Sequence, residues 1–148
     1  AMYRACLDAA AEYGVADYVH MTGNQPQSVC RQYARNALAT LLPGEWNRVN
    51  IFYEVMGEGC VVLTNNNHSV DEFIDRGNNC LVYDTEAEAA EQLIALLNDP
   101  QRAQRIRANA HRTAIEQFLT LEKRFGMEAQ LVMDTASGND TAHYPEII

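Results

Sequence analysis

The sequence predicts an α/β domain in which a parallel sheet of about four strands has helices on both faces and is followed by a helical C-terminal segment. Three observations lead to this prediction. Short apolar runs alternate with helical patterns as far as Tyr83, and from Thr85 onwards the patterns are helical. The run at 36–42 is continuously apolar, as in a strand buried on both faces. Strands that alternate with helices form right-handed βαβ units, which gives a Rossmann-like sheet.

Each element has its own signal in the sequence. Strands are predicted from short apolar or alternating runs, at residues 17–22, 36–42, 60–64 and 80–83. Helices are predicted from apolar periodicity over residues 2–13, 26–35, about 48–57, 85–98, from 99 onwards and about 120–134, with a short helix after Ser69. Gly14 ends the first helix, Pro26 opens the second, and Thr85-x-x-Glu88 is a capping box.

Length and charge limit the class of protein. The chain has 148 residues, and we expect one domain over residues 2–134 with a loose polar tail over 135–148. Twenty acidic and eleven basic residues give a formal net charge of −9, which argues against a nucleic acid as the partner. Apolar runs are shorter than the roughly 20 residues of a membrane span, so no transmembrane segment is expected. The four cysteines have no C-x-x-C spacing, and we interpret them as reduced thiols of a cytoplasmic protein.

The loop at 43–48 is the first candidate for a binding site. Ligands of open parallel sheets bind at the carboxyl ends of the strands, and this loop follows such an end. The unpaired N–H groups at the start of the next helix, including those of Val49 and Asn50, make a site for an anion. Arg48 would add a bidentate contact to a phosphate. The alternative is a plain connecting loop in which Asn47 caps the helix.

Glu54 is the second candidate, because it is the only charged residue in the apolar helical run from Val49 to Met56. A carboxylate in such a run needs a partner, a shifted pKa or contact with water. One interpretation is that Glu54 points to solvent. The other is that it accepts hydrogen bonds from hydroxyl groups of a ligand near the start of the helix.

The sequence contains no motif for a metal site or for a catalytic nucleophile. The four histidines, His20, His68, His111 and His143, include no pair with the spacing of metal ligands. The chain also contains no phosphate-binding P-loop motif and no G-x-S-x-G or H-E-x-x-H motif. We therefore expect no metal and no bound cofactor, and we assign no catalytic residue.

Five segments in order resemble a known family. They are A-A-A-E-Y-G-V-A-D-Y-V-H-M-T-G at 9–23, Q-S-V-C-R-Q-Y-A-R-N-A-L-A-T-L-L-P-G at 27–44, Y-E-V-M-G-E-G-C-V-V-L-T at 53–64, D-E-F-I-D-R-G-N-N-C-L-V-Y-D at 71–84, and the helices with L-L-N-D-P and R-A-N-A-H-R-T. Together they resemble the C-terminal, nucleotide-sugar-binding domain of the retaining glycosyltransferases called group 1, which have the GT-B fold. The segment with Glu54 is similar to that family's "E-A-M-A-x-G-x-P-V-I" signature.

The resemblance gives roles to the candidate residues. It implies that Glu54 binds the ribose hydroxyls of a nucleoside diphosphate sugar, and that the segment 47–51 binds the diphosphate through backbone amides. The family's second glutamate, near the donor sugar, falls at Trp46 here, with Glu45 one place away. The family's glycine-rich loop is replaced by E-W-N-R.

The resemblance also implies that parts of a complete enzyme are missing. The first strands of the domain and the N-terminal acceptor domain are not found in this sequence. We therefore expect a donor-binding portion that is inactive alone, as a fragment or a split partner of a longer enzyme. The alternative is a non-catalytic interaction or regulatory module that has kept the fold and forms a homo-oligomer or a complex through an exposed sheet edge.

Overall fold

The computed structural model describes residues 2–43, 49–66, 73–117 and 121–139. The helices in these residues are α1 (Met2–Glu12), α2 (Gln27–Asn36), α3 (Val49–Gly57), α4 (Glu86–Asn98), α5 (Pro100–Gln117) and α6 (Leu121–Ala136), with a 3-10 helix at Ala16–Tyr18. The strands are β1 (Ala39–Leu42), β2 (Val61–Asn65) and β3 (Leu81–Tyr83). The chain divides into two compact units, residues 1–30 and 31–148, and the whole sheet belongs to the second.

The three strands form one parallel sheet in the order β1-β2-β3. Leu41 is paired with Leu63, which in turn is paired with Leu81. Because all three strands run in the same direction, their carboxyl ends at Leu42, Asn65 and Tyr83 lie at one edge of the sheet. This arrangement confirms the predicted α/β class with a parallel, Rossmann-like sheet and a helical C-terminal segment.

The side chains of the central strand β2 alternate between two apolar clusters. Val62 packs on one face with residues of α3 and α5, and Val61 and Leu63 pack on the other with residues of α4 and α5. All three are fully buried, as expected for a strand covered by helices on both faces. Burying each such side chain contributes about 1.5–3 kcal/mol to the free energy of folding. This burial stabilises the packing of the strands against the helices and so fixes the positions of the strand ends at the carboxyl edge.

The start of α4 carries the predicted N-terminal cap. The Thr85 side chain accepts a hydrogen bond of 3.2 Å from the Glu88 amide, and the Glu88 carboxylate accepts one of 2.8 Å from the Asp84 amide. The cap is confirmed, except that Glu88 accepts from the amide of Asp84, one residue before the N-cap amide of a regular capping box. The short helix predicted after Ser69 lies outside the described residues.

The strand predicted at 17–22 is wrong. Residues Ala16–Tyr18 form a 3-10 helix, and no strand is assigned between Val19 and Gly23. The local hydrogen bonds run from the Tyr18 amide to the Val15 carbonyl and from the Val19 amide to the Ala16 carbonyl. An alternating pattern becomes a strand only when a neighbouring strand completes its hydrogen bonds, and the described part of residues 1–30 contains no other strand.

None of the described helices is both long and apolar enough to cross a lipid bilayer.

Candidate functional site

The candidate site lies where the carboxyl end of β1 leads into α3. β1 ends at Leu42 and α3 begins at Val49, so α3 is the next element along the chain after the carboxyl end of β1. Three of the predicted site residues, Glu45, Asn47 and Arg48, lie in the connecting loop and outside the described residues. The structure therefore describes the helix end of this candidate site.

The first turn of α3 contains the backbone N–H groups of the candidate anion site. Val49 is the first residue of the helix, and Asn50 follows it with an exposed side chain. The amides of a first turn have no carbonyl partner within the helix, and the helix dipole adds partial positive charge at the same end. The helix has nine residues, long enough for both effects to act on an anion.

Glu54 lies on the exposed face of α3 and not in the core. Asn50 and Glu54 are four residues apart, so their side chains are neighbours on that face. Side chains in a helix lean towards its N-terminus, which directs the Glu54 side chain back towards the first turn. Taken alone, the exposure of Glu54 agrees with the solvent-facing interpretation, and its place beside the first turn is also suited to contact with a ligand.

The opposite face of α3 is fixed in the core. Phe52 and Met56 are fully buried. The Phe52 ring meets the Phe73 ring edge to face, with the centroids 5.9 Å apart, and the Tyr53 ring stacks on Phe73 at 4.8 Å. Such aromatic pairs contribute about 0.5–1.5 kcal/mol beyond the area they bury. The helix is therefore held in one orientation, with Asn50 and Glu54 facing outwards.

The C-terminus of α3 has its own contacts, which the sequence did not reveal. Nδ1 of His111 on α5 lies 2.7 Å from the carbonyl oxygen of Gly57. Glu58, whose side chain is only 13% exposed, accepts hydrogen bonds from Nε and Nη2 of Arg35, with Arg31 at 3.7 Å. Gly59 follows with φ +68°, a conformation that favours glycine and turns the chain into β2.

The exit of β2 contributes two more polar residues to the carboxyl edge. Thr64 is fully buried, and its hydroxyl donates a hydrogen bond of 2.9 Å to the carbonyl oxygen of Leu42. The Asn66 side chain donates to Asp84 at 2.9 Å and accepts from Arg76 at 2.7 Å. Sequence reasoning treated Thr64 as part of an apolar strand. A threonine near the end of a buried strand, just before a polar loop, is the signal that could have identified it.

The two buried cysteine thiols are unsuited to act as nucleophiles. All four are free, and Cys60 and Cys80 are buried. Burial raises the pKa of the Cys60 thiol, and burial raises the pKa of the Cys80 thiol to about 12. Both thiols are therefore protonated at neutral pH and are poor nucleophiles. Within the described residues, no group of three histidine, cysteine or acidic side chains is placed to hold a metal ion.

These observations define an α/β domain whose parallel strands have their carboxyl ends at one edge, the edge at which open parallel sheets bind ligands. A family profile described as glycosyl transferase-like matches residues 12–127 of the 148-residue chain. The chain therefore belongs to this glycosyl transferase-like family, which confirms the resemblance to glycosyltransferases that its segments showed. No curated protein matches the chain.

Proposed function

We propose that this chain is the nucleotide-sugar-binding portion of a retaining glycosyltransferase of the group 1 type, with the GT-B fold. The observation that carries the proposal is the arrangement of α3 in a member of a glycosyl transferase-like family. Its N-terminus follows the carboxyl end of β1, and Asn50 and Glu54 lie on its exposed face. The domain at 2–134 is the donor-binding domain in this proposal.

The chemistry of a nucleoside diphosphate matches the groups of this helix end. The diphosphate accepts hydrogen bonds from the first-turn amides of α3, beginning at Val49 and Asn50, and Arg48 adds a positive charge. The Glu54 carboxylate accepts hydrogen bonds from the two ribose hydroxyls. The proposal assigns Glu45 to contact with the donor sugar, because it is one place from the position of the family's second glutamate. Amides and arginine stabilise the negative charge that develops on the departing nucleoside diphosphate, so the proposal requires no metal ion.

Sugar transfer requires a second half of the enzyme in this proposal. In the GT-B fold the acceptor binds to an N-terminal domain, and transfer occurs in the cleft between the two domains. The proposal therefore assigns donor binding to this chain and transfer to its complex with an acceptor domain. A cytoplasmic location is part of the proposal and is supported by the four free thiols, because disulfides form in oxidising compartments.

A thermal-shift series tests donor binding on the wild-type chain. We expect UDP, GDP or ADP to raise the melting temperature in a saturable way, with inorganic pyrophosphate giving a smaller shift because it lacks the ribose. Ligand at about 100 times its Kd stabilises the folded state by about 2.7 kcal/mol, which is a shift of several degrees. The absence of any shift with all three nucleotides at about 5 mM, a hundredfold above a Kd of ~50 µM, would contradict the proposal.

The second candidate is a non-catalytic interaction module. It is favoured by β1, which lies at the edge of the described sheet and has a half-exposed Leu41 at 51%. An edge strand presents unpaired N–H and C=O groups to which another chain can add a strand. In this alternative a second copy pairs along β1, and light scattering would find a dimer that Leu41→Lys or Thr40→Pro converts to a monomer.

A further inference from the structure

A cavity of about 460 Å³ lies at the corner between α4 and α5, beside the amino end of β1. Its wall is mostly apolar and is formed by Leu38, Leu96, Leu97, Pro100 and Ala103, and its polar side chains are Gln104 and Arg107. Leu38 directly precedes β1, whereas the candidate donor site follows the opposite end of the same strand. The cavity shares no residue with that site, so an inference about it does not rest on the proposed function.

One face of α5 forms the long side of the cavity. Pro100, Ala103, Gln104 and Arg107 line it, and their spacing of i, i+3, i+4 and i+7 places them on one side of the helix. Pro100 and Arg107 are about 10 Å apart along the helix axis. Leu97, at the end of α4, is 65% exposed. The cavity therefore has an accessible apolar wall, with a positive charge about two helical turns from the first residue of α5.

The guanidinium group of Arg107 is only partly satisfied by the protein. Its Nη2 donates a hydrogen bond to the carbonyl oxygen of Ala37, whereas its Nε is buried and has no hydrogen-bond partner among the described residues. The ion pairs in the described part of the chain join Arg31 and Arg35 to Glu58 and do not include Arg107. A buried N–H group without a partner and a half-buried charge without a counter-charge both cost free energy. An anion beside the guanidinium would offset the cost of the unpaired charge.

We propose that this cavity binds an apolar monocarboxylate, with its carboxylate at Arg107 and its hydrocarbon chain along the wall towards Pro100. Apolar walls with a few polar groups that fix orientation are typical of small-molecule sites. Arginine pairs with a carboxylate through parallel hydrogen bonds. One guanidinium matches one negative charge, and the formal net charge of −9 disfavours more highly charged anions. The length of about 10 Å accommodates a chain of about eight carbons.

An NMR titration of the isotope-labelled chain with octanoate tests the proposal, with the backbone amides of Leu38, Leu97 and Gln104 as reporters of the cavity. Octanoate is ionised at neutral pH, and we expect saturable shifts of these signals with a Kd of ~0.1–1 mM. Hexanoate is expected to bind about two- to fourfold more weakly for each methylene it lacks, because less hydrocarbon is buried. Octanol has the same chain without the charge and is expected to bind about tenfold more weakly.

Arg107→Met is the main variant, because it removes the charge and keeps a long side chain. It is expected to weaken octanoate binding about tenfold. Arg105→Met is the matched control: Arg105 is exposed on the same helix and does not line the cavity, so wild-type affinity is expected. Leu97→Gln provides a second variant should Arg107→Met fail to fold. Leu97 is exposed, so this variant is expected to fold like the wild type and to bind octanoate about threefold more weakly.

The outcomes decide both the place of binding and the role of the charge. If octanoate at ~10 mM gives no saturable shifts in the wild type, or shifts only signals away from the cavity, the inference is overturned. Equal octanoate affinity in the wild type and Arg107→Met also overturns it, as does octanol binding as tightly as octanoate. If Arg107→Met does not fold, equal affinity in the wild type and Leu97→Gln has the same meaning. Each of these results leaves the proposed donor site untouched.

Discussion

Nδ1 of His111 lies 2.7 Å from the carbonyl oxygen of Gly57, and this contact joins α5 to the last residue of α3. The last carbonyl groups of a helix have no partner within it, and an imidazole N–H there also interacts favourably with the helix dipole. Because Glu54 lies one turn before Gly57, the contact also holds in place the helix that carries the candidate ligand-binding face.

His111→Ala is expected to lower the free energy of unfolding by about 1 kcal/mol, the typical value of one hydrogen bond at a helix end. Urea denaturation at pH 7 measures this difference. Glu116→Ala on the same helix α5 is the control, because Glu116 is exposed and its change is expected to stay within about 0.5 kcal/mol. Equal stability of the wild type and His111→Ala would show that the contact contributes nothing.

The two ion pairs of Glu58, with Arg35 and with Arg31, are expected to contribute unequally to the free energy of unfolding. Glu58 is mostly buried and accepts two hydrogen bonds from Arg35, whereas Arg31 lies at 3.7 Å with half of its side chain exposed. Arg35→Ala is expected to cost about 1–2 kcal/mol of stability. Arg31→Ala is expected to cost less than about 0.5 kcal/mol, because Nε of Arg31 lies 3.7 Å from Oε1 of Glu58, beyond hydrogen-bond distance.

Urea denaturation of the two arginine variants at low and high salt measures this difference. The cost of Arg31→Ala is expected to vanish at about 1 M salt, where the Debye length is about 3 Å. A larger loss of stability in Arg31→Ala than in Arg35→Ala would contradict the assignment.

The buried Cys80 thiol is expected to make the free energy of unfolding decrease as pH rises in the alkaline range. Burial raises its pKa in the folded state to about 12, from an ordinary value of 9.0. Between these two values the unfolded chain loses the thiol proton while the folded chain keeps it. The unfolded state then binds fewer protons, so stability falls as pH rises, by up to about 1.4 kcal/mol per pH unit from this group.

Urea denaturation of the wild type and Cys80→Ala between pH 8 and about 10.5 tests this dependence. The absolute stability of Cys80→Ala is expected to be lower because of the cavity, and its decline with pH is expected to be shallower. Parallel declines in the two proteins would contradict the raised pKa. Thiol labelling of the folded chain at pH 8 gives a second readout, with the exposed Cys6 and Cys30 reacting and the buried Cys60 and Cys80 protected.

Most of the fold of the second unit could be predicted from the sequence, because its signals are local. The strands β2 and β3 and the helices α3 and α4 begin and end close to the predicted residues, α5 begins close to its predicted start, and β1 begins three residues later than predicted. The prediction of a strand at 17–22 was wrong because a strand depends on hydrogen bonds to a neighbouring strand, and a local sequence pattern does not show whether such a neighbour exists. The prediction of the N-terminal cap at Thr85 was correct because the cap depends on two residues only three positions apart.

The supporting contacts of the candidate site could not be predicted, because they join residues distant in the sequence. His111 and Gly57 are separated by 54 positions, and Thr64 and Leu42 by 22. Asn79 is another example, since it is buried and its side chain donates to the Phe73 carbonyl and the Thr113 hydroxyl, 34 positions away. The apolar run around Glu54 left both a solvent-facing role and a contact with a ligand open, and a specific role in binding ribose came only from the resemblance to a family.

The most direct test of the donor-site account is an isothermal titration of nucleoside diphosphate into the wild type, Glu54→Gln and the control Glu91→Gln. Glu91 is exposed on α4, away from α3, and its substitution makes the same change in charge. The account predicts saturable binding to the wild type and Glu91→Gln, and about tenfold or weaker affinity in Glu54→Gln because hydrogen bonds to a carboxylate are lost. Equal affinity in all three proteins, or no binding of UDP, GDP or ADP to the wild type, would contradict it.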